Sequence, residues 1–344
     1  MKTFIFMFLL AGIFIGLCLA QPPDSLWSRT FGGSYYEECY SVQQTLDGGY
    51  ILGGYTLSFG AGDADLWLVK TDADGDSLWS RTFGGSNGDG LESMQQTSDG
   101  GYILAGSTRS FGVGAPTYAN FWLVKTTANG DSLWSRTFGG TYDDYCFSVD
   151  LTSDGGYVLA GSTFCTPTNR DFWLVKTDEN GDSLWSRTFG GTWEDACYCV
   201  QETADGGYIL AGLTKSFGVG TPSYANIWLV KTNATGDSLW SRSFGGSRND
   251  YCKSVRQTSD NGYILAGRTY SFGIGTPSYS NFWLLKTNAD GDSIWSRAFG
   301  GSRDDLCLST QQTLDGGYIM AGTTWSYGTG TPSFPNLWLV KTDA

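Results

Sequence analysis

Gly75-Asp-Ser-Leu-Trp-Ser-Arg-Thr-Phe-Gly-Gly85, Gln95-Gln-Thr-Ser-Asp-Gly-Gly-Tyr-Ile-Leu-Ala-Gly106 and Phe121-Trp-Leu-Val-Lys-Thr126 make up one unit of a repeat that occurs six times. The Trp of the Leu/Ile-Trp-Ser-Arg element falls at Trp27, Trp79, Trp134, Trp185, Trp240 and Trp295, with spacings of 52, 55, 51, 55 and 55 residues. Tyr102 and Trp122 have counterparts in every copy with the same period. A repeat of this length decides the architecture before any single residue is read.

Tyr102–Gly106 and Phe121–Thr126 are short apolar runs bounded by Gly and Asp, too short for helices and rich in strand formers. Being apolar at successive positions, they require cover on both faces. Ser132-Leu-Trp-Ser-Arg-Thr-Phe138 alternates instead, as a half-buried outer strand does. Thr97-Ser-Asp-Gly-Gly-Tyr102 reads as a tight hairpin with Gly at the positive-φ position, and Asp72-Ala-Asp-Gly-Asp-Ser77 as a second one. Each unit therefore predicts a meander of four antiparallel strands, at 91–97, 102–108, 121–126 and 132–138 in the second copy.

Four-stranded units repeated radially give an all-β, six-bladed β-propeller in which each blade covers its neighbours. The chain carries a lone fourth-type strand at 25–31 and finishes just after a third-type strand, 337–342. The N-terminal strand is thus expected to complete the last blade and close the ring, which removes open sheet edges. The uniform repeat leaves no linker, so residues 21–344 read as one domain.

Asp-Gly-Gly-Tyr-Ile-Leu-Ala-Gly, Trp-Leu-Val-Lys-Thr and Ser-Leu-Trp-Ser-Arg-Thr-Phe-Gly-Gly resemble the repeats of exported bacterial and archaeal β-propeller proteins, similar to the seven-bladed β-propeller repeat group. The resemblance covers nearly all of residues 21–344 and implies the fold while leaving function almost open. The chain departs from it in having six copies and in placing Cys where Gly or another small residue is expected.

Met1-Lys2, the apolar run Phe4–Leu17 and Cys18-Leu-Ala20 read as a secretory signal at 1–20, giving a secreted chain. The run falls short of the about 20 apolar residues of a stable span. Ile15-Gly-Leu-Cys18 offers a lipoprotein alternative, weakened by the Leu before Cys18. No membrane span is expected once the signal is removed, and the protein reads as a monomer.

A formal charge of −13 argues against nucleic acid and anionic membranes as partners. The sequence has no His, which excludes Ser-His-Asp and Cys-His nucleophiles and His-ligated metals.

Copies are nearly identical in their hairpins and diverge just after Gly-Gly and between the second and third strands. Loops on a rigid scaffold are where function concentrates. The candidate ligand-binding residues are therefore Tyr35, Glu37, Tyr142, Asp144, Trp193, Asp195, Arg248, Asp250, Arg303 and Asp305. The acid recurs in all six copies, with Asp89 in the second. It has two readings: a turn-forming acceptor of backbone N–H groups, or a ring of carboxylates at the axial mouth that binds a cation or a polyhydroxylated ligand. Tyr35, Tyr142 and Trp193 offer apolar faces to a sugar ring.

The favoured function is a non-catalytic binding or adhesion scaffold for an extracellular glycan or protein. The first alternative is a glycosidase or lyase using a carboxylate pair drawn from Glu37, Glu38, Asp143, Asp144, Glu194 and Asp195. The second is a structural envelope or matrix component.

No cofactor is expected. Asp72-Ala-Asp-Gly-Asp76 and Asp178-Glu-Asn-Gly-Asp182 have a calcium-loop flavour, but they lack the full loop and its distant Glu. The outer-strand arginines, such as Arg81 and Arg136, are expected to pack on Trp or to meet acids between blades. Cys39, Cys146, Cys197, Cys252 and Cys307 share one position, Leu91 in the other copy, and read as a small apolar core site. Cys197 and Cys199, two apart in a strand, are expected to point the same way. Seven cysteines after the signal leave the disulfide state open.

Overall fold

The computed structural model describes residues 27–328 and 334–343; the signal at 1–20 lies outside them. The chain forms a six-bladed β-propeller of antiparallel meanders, with four strands in each of the first five blades and three in the last. The second blade consists of Asp89–Gln96, Tyr102–Thr108, Asn120–Thr126 and Ser132–Phe138, within two residues of the expected limits. The first strands of successive blades lie side by side around the axis, and the Trp-Ser-Arg strands form the rim.

Each apolar core lies between two blades, which explains why the middle strands are apolar on both faces. Cys199, Ile209 and Leu229 of the fourth blade pack with Cys252, Leu265 and Trp283 of the fifth. At the rim the repeat fixes a second contact. The Arg81 guanidinium lies over the Trp79 ring at 5.5 Å and reaches Asp131 of the next blade at 3.3 Å, and Arg136, Arg187 and Arg242 do the same. The expectation for these arginines holds.

Two expectations need correction. The last blade is three-stranded, and residues 27–31 form no strand and do not pair with Asn336–Thr342; residues 25 and 26 lie outside the described residues. Trp27 and Arg29 of this segment have partners on the first blade. Trp27 meets Tyr50 edge-on at 5.6 Å, and Arg29 Nε reaches Asp76 at 2.8 Å, the contacts an outer strand makes with the following blade. The segment is thus anchored on one side of the seam, and Leu337 on the other side is 92% exposed where its counterpart Ile227 is 0%.

Cys197 and Cys199 lie in different inter-blade cores, not on one face. A β-bulge between them, leaving Tyr198 unpaired, shifts the alternation by one residue. The shared cysteine position is buried in the third to sixth blades, as a small apolar core site requires, and exposed only at Cys39 beside the seam. All seven described cysteines are free thiols.

Candidate functional site

The loops after Gly-Gly and the loops between second and third strands lie on one face, and serine joins them within a blade. The backbone N–H groups of Tyr35, Trp193, Arg248 and Arg303 donate to Ser58, Ser216, Ser271 and Ser326 Oγ at 2.8–3.1 Å. The variable residue is therefore held by its backbone while its side chain is free to differ. Tyr35 and Trp193 are exposed, Trp193 at 52%. Arg248 lies over the Tyr224 ring at 5.4 Å, and Tyr142 meets Tyr118 edge-on at 5.8 Å. Arg303 is exposed.

The recurring acid sits beneath this surface. Asp250 is fully buried, accepts from the Gly246 N–H at 2.9 Å and Ser271 Oγ at 2.8 Å, and also takes the Thr269 hydroxyl. Asp305 is bound in the same way by Gly301, Ser326 and Thr324. Asp195 takes Gly191 and Ser216, Asp144 takes Gly140, and Glu37 takes Gly33 and Thr56. Burial raises the carboxyl pKa of Asp144 and Asp250 despite these donors. The donors come from within each blade, which is the geometry of a turn-forming acceptor.

The neighbouring acids are also engaged. Asp143 pairs with Arg109 at 3.0 Å, and Asp304 accepts from Ser280 at 2.9 Å. Glu194 pairs with Lys215 at 2.6 Å and with Arg170. Burial opposes the Glu194 charge, but the two cations hold its carboxyl below the ordinary range. Glu38 accepts the hydroxyls of Tyr36 and Tyr40.

The long loops add a feature that residue type alone did not single out. Phe111, Phe217 and Phe272 fold back onto Trp122, Trp228 and Trp283, with centroids 5.1–5.6 Å apart. Asn120, Asn226 and Asn281 donate Nδ2 to the carbonyls of Val113, Val219 and Ile274 at 2.9–3.0 Å. Those three aliphatic side chains are left exposed at the loop tips. The signal in the sequence is Phe-Gly-Val/Ile-Gly, repeated in three loops that agree at nearly every position.

No group of His, Cys, Asp and Glu suited to holding a metal occurs among the described residues, and no described helix is long and apolar enough to cross a membrane.

No family profile matches the chain. It is 26% identical over 208 residues to the regulatory protein FlaEY of Caulobacter vibrioides, a match covering 52% of this chain and 22% of that protein. The chain thus spans about a fifth of that relative's length. Among solved structures, the Pan2 WD40 domain of Neurospora crassa aligns over 88% of this chain and 78% of its own, with a TM-score of 0.53 and 10% identity. A Bacteroides caccae protein of unknown function aligns over 76% of this chain and 82% of its own, with a TM-score of 0.46 and 13% identity. The likeness to the WD40 domain agrees with the propeller fold.

Proposed function

We propose that this chain is an exported docking scaffold that binds a protein partner through its loop face. One observation carries the reading: Val113, Val219 and Ile274 are exposed apolar tips on loops immobilised by an aromatic stack and an asparagine clamp. Repetition in three blades keeps apolar groups facing water at fixed spacing. A pre-organised apolar surface loses little entropy on docking, and interface energy concentrates in such anchors. Trp193, Tyr35, Arg248 and Arg303 supply the aromatic and guanidinium groups enriched at protein interfaces. Export rests on the apolar leader at 4–17.

The test compares the wild-type chain with a V113D/V219D/I274D variant in binding to purified extracellular proteins of the source cells. Loss of one defined partner, with an unchanged unfolding midpoint, supports the reading. A glycan array run in parallel covers the sugar alternative. Selective glycan binding that is lost in Trp193→Ala and Tyr142→Ala but kept in the tip variant would replace protein docking with carbohydrate recognition.

A further inference from the structure

Every inner strand carries a bulge at its fourth residue, which drops that residue out of the pairing with the second strand. The bulged residues are Tyr40, Glu92, Phe147, Tyr198, Lys253 and Leu308. A bulge re-aims its side chain; here it turns a position that differs widely between copies out of the inter-blade cores and toward the axis. The contacts confirm the convergence. Phe147 and Tyr198, from neighbouring blades, have ring centroids 5.2 Å apart. Lys253 Nζ stands 3.5 Å from the centre of the Tyr198 ring.

The charges at this level are arranged asymmetrically. Lys253, in the fifth blade, is crowded by the guanidiniums of Arg268 and Arg170, and Arg268 lies 4.6 Å over Tyr251. Glu92, in the second blade, stands opposite Lys253 in the ring of six and has Glu38 as its acidic neighbour. Glu92 and Lys253 stand at the bulges of facing inner strands and form no ion pair among the described residues. Neither of them makes a side-chain hydrogen bond within the described residues, whereas Arg170 and Lys215 share the Glu194 carboxylate. Burial pushes the Glu92 carboxyl up to about 7 and the Lys253 ammonium down to about 8. Neither has a counter-ion among the described residues, the Lys253 ammonium having only the Tyr198 ring; a half-buried charge without one is costly, and two of opposite sign on facing inner strands give the axial slot a positive and a negative end.

We infer that this axial slot binds a free α-amino acid as its zwitterion: the carboxylate against Lys253 and Arg268, the ammonium against Glu92, and the side chain along Phe147 and Tyr198. The compact zwitterion satisfies both ends at once. A simple anion leaves Glu92 unpartnered, and a simple cation leaves Lys253 so. The slot lies on the axis and not on the loop tips, so the inference does not depend on the docking reading.

The test is calorimetric titration of the full chain with L-phenylalanine, N-acetyl-L-phenylalanine and L-phenylalaninamide, which keep both charges, the carboxylate alone and the ammonium alone. The amino acid should bind, with each derivative weaker by about tenfold or more, the effect of one lost charge-assisted contact. Glu92→Gln should abolish the discrimination against the N-acetyl form, and Lys253→Met the discrimination against the amide. The V113D/V219D/I274D variant should bind the amino acid unchanged. Equal binding of either derivative to the wild-type chain, or no binding of the amino acid at millimolar concentration, overturns the assignment; the ligand series needs no variant to fold.

Discussion

Each blade carries one lysine whose ammonium is turned into the hairpin between its first and second strands, and the fourth blade shows what holds it. Lys231 is 4% exposed and Asp205 is 59% exposed, with Nζ 2.9 Å from Oδ2. Nζ also donates to the Thr232 carbonyl at 2.8 Å. Asp205 additionally accepts from Thr203 Oγ1 at 2.6 Å and the Gly207 N–H at 3.0 Å. The two partners therefore should not cost the same to remove. In Lys231→Met the carboxylate keeps a hydroxyl, an amide and water, and the loss should be about 1 kcal/mol, that of one ordinary hydrogen bond. In Asp205→Ala the hairpin loses both local bonds, and a buried ammonium is left with a single carbonyl, so the loss should be about 3 kcal/mol or more. The double variant should recover part of this, because no buried charge remains. Urea unfolding of the four proteins in a double-mutant cycle reads the difference directly. A Lys231→Met loss equal to or larger than that of Asp205→Ala, or a double variant no more stable than Asp205→Ala, would refute the reasoning.

The same hairpins set an acid limit. Burial opposes ionisation of Asp99, Asp154, Asp205 and Asp260, but the threonine hydroxyl and the lysine hold their carboxyls at about 2, as they do for Asp47. A depressed folded-state pKa contributes stability above the unfolded value, lost as pH falls through the folded one. The unfolding free energy should therefore be flat near pH 5 and fall between about pH 4 and pH 2, by about 0.5–1 kcal/mol for each of these five carboxylates after solvent screening; a flat profile to pH 2 would contradict it. Gly245→Ala places a Cβ 2.4 Å from Asn226 Oδ1 and 2.8 Å from Asp250 Oδ2. It should cost about 1–3 kcal/mol, read in the urea midpoint; an unchanged midpoint would show that the blade junction is slack. Thiol labelling of the chain from residue 21 should find Cys39 and Cys165 fast and the five buried cysteines slow. A single fast thiol would mean that the seam beside Cys39 is shut in solution.

Most of the fold was legible because one unit is written six times. The strand limits at Tyr102–Thr108 and Ser132–Phe138 follow from hairpin chemistry and alternation alone. The recurring acid was read with two meanings, and only the positions of Gly246, Ser271 and Thr269 around Asp250 show that it works inside the blade. The bulge was not legible. It follows from how the inner strand curves around the axis, and no residue type marks it, since Tyr, Glu, Phe, Lys and Leu all occupy it. Its effect on Cys197 and Cys199 was for that reason read with the wrong parity.

The bulge also explains where a duplicated protein has room to become specific. Positions in the inter-blade cores must suit two blades at once, so Ile209 and Leu229 are constrained from both sides. The rim is tied by Arg–Trp and Arg–Asp contacts that recur from blade to blade. A residue dropped from the pairing and turned to the axis escapes both demands, and so does a side chain on a loop whose backbone alone is clamped. The six copies do differ at both: Glu92 against Lys253 on the axis, and Trp193 against Arg248 on the face. On this argument, exchanging Glu92 and Lys253 between their blades should leave the unfolding midpoint nearly unchanged while cancelling the polarity of the slot, because Arg268 and Glu38 stay in place. A large loss of stability from that exchange would place these two residues among those the fold requires.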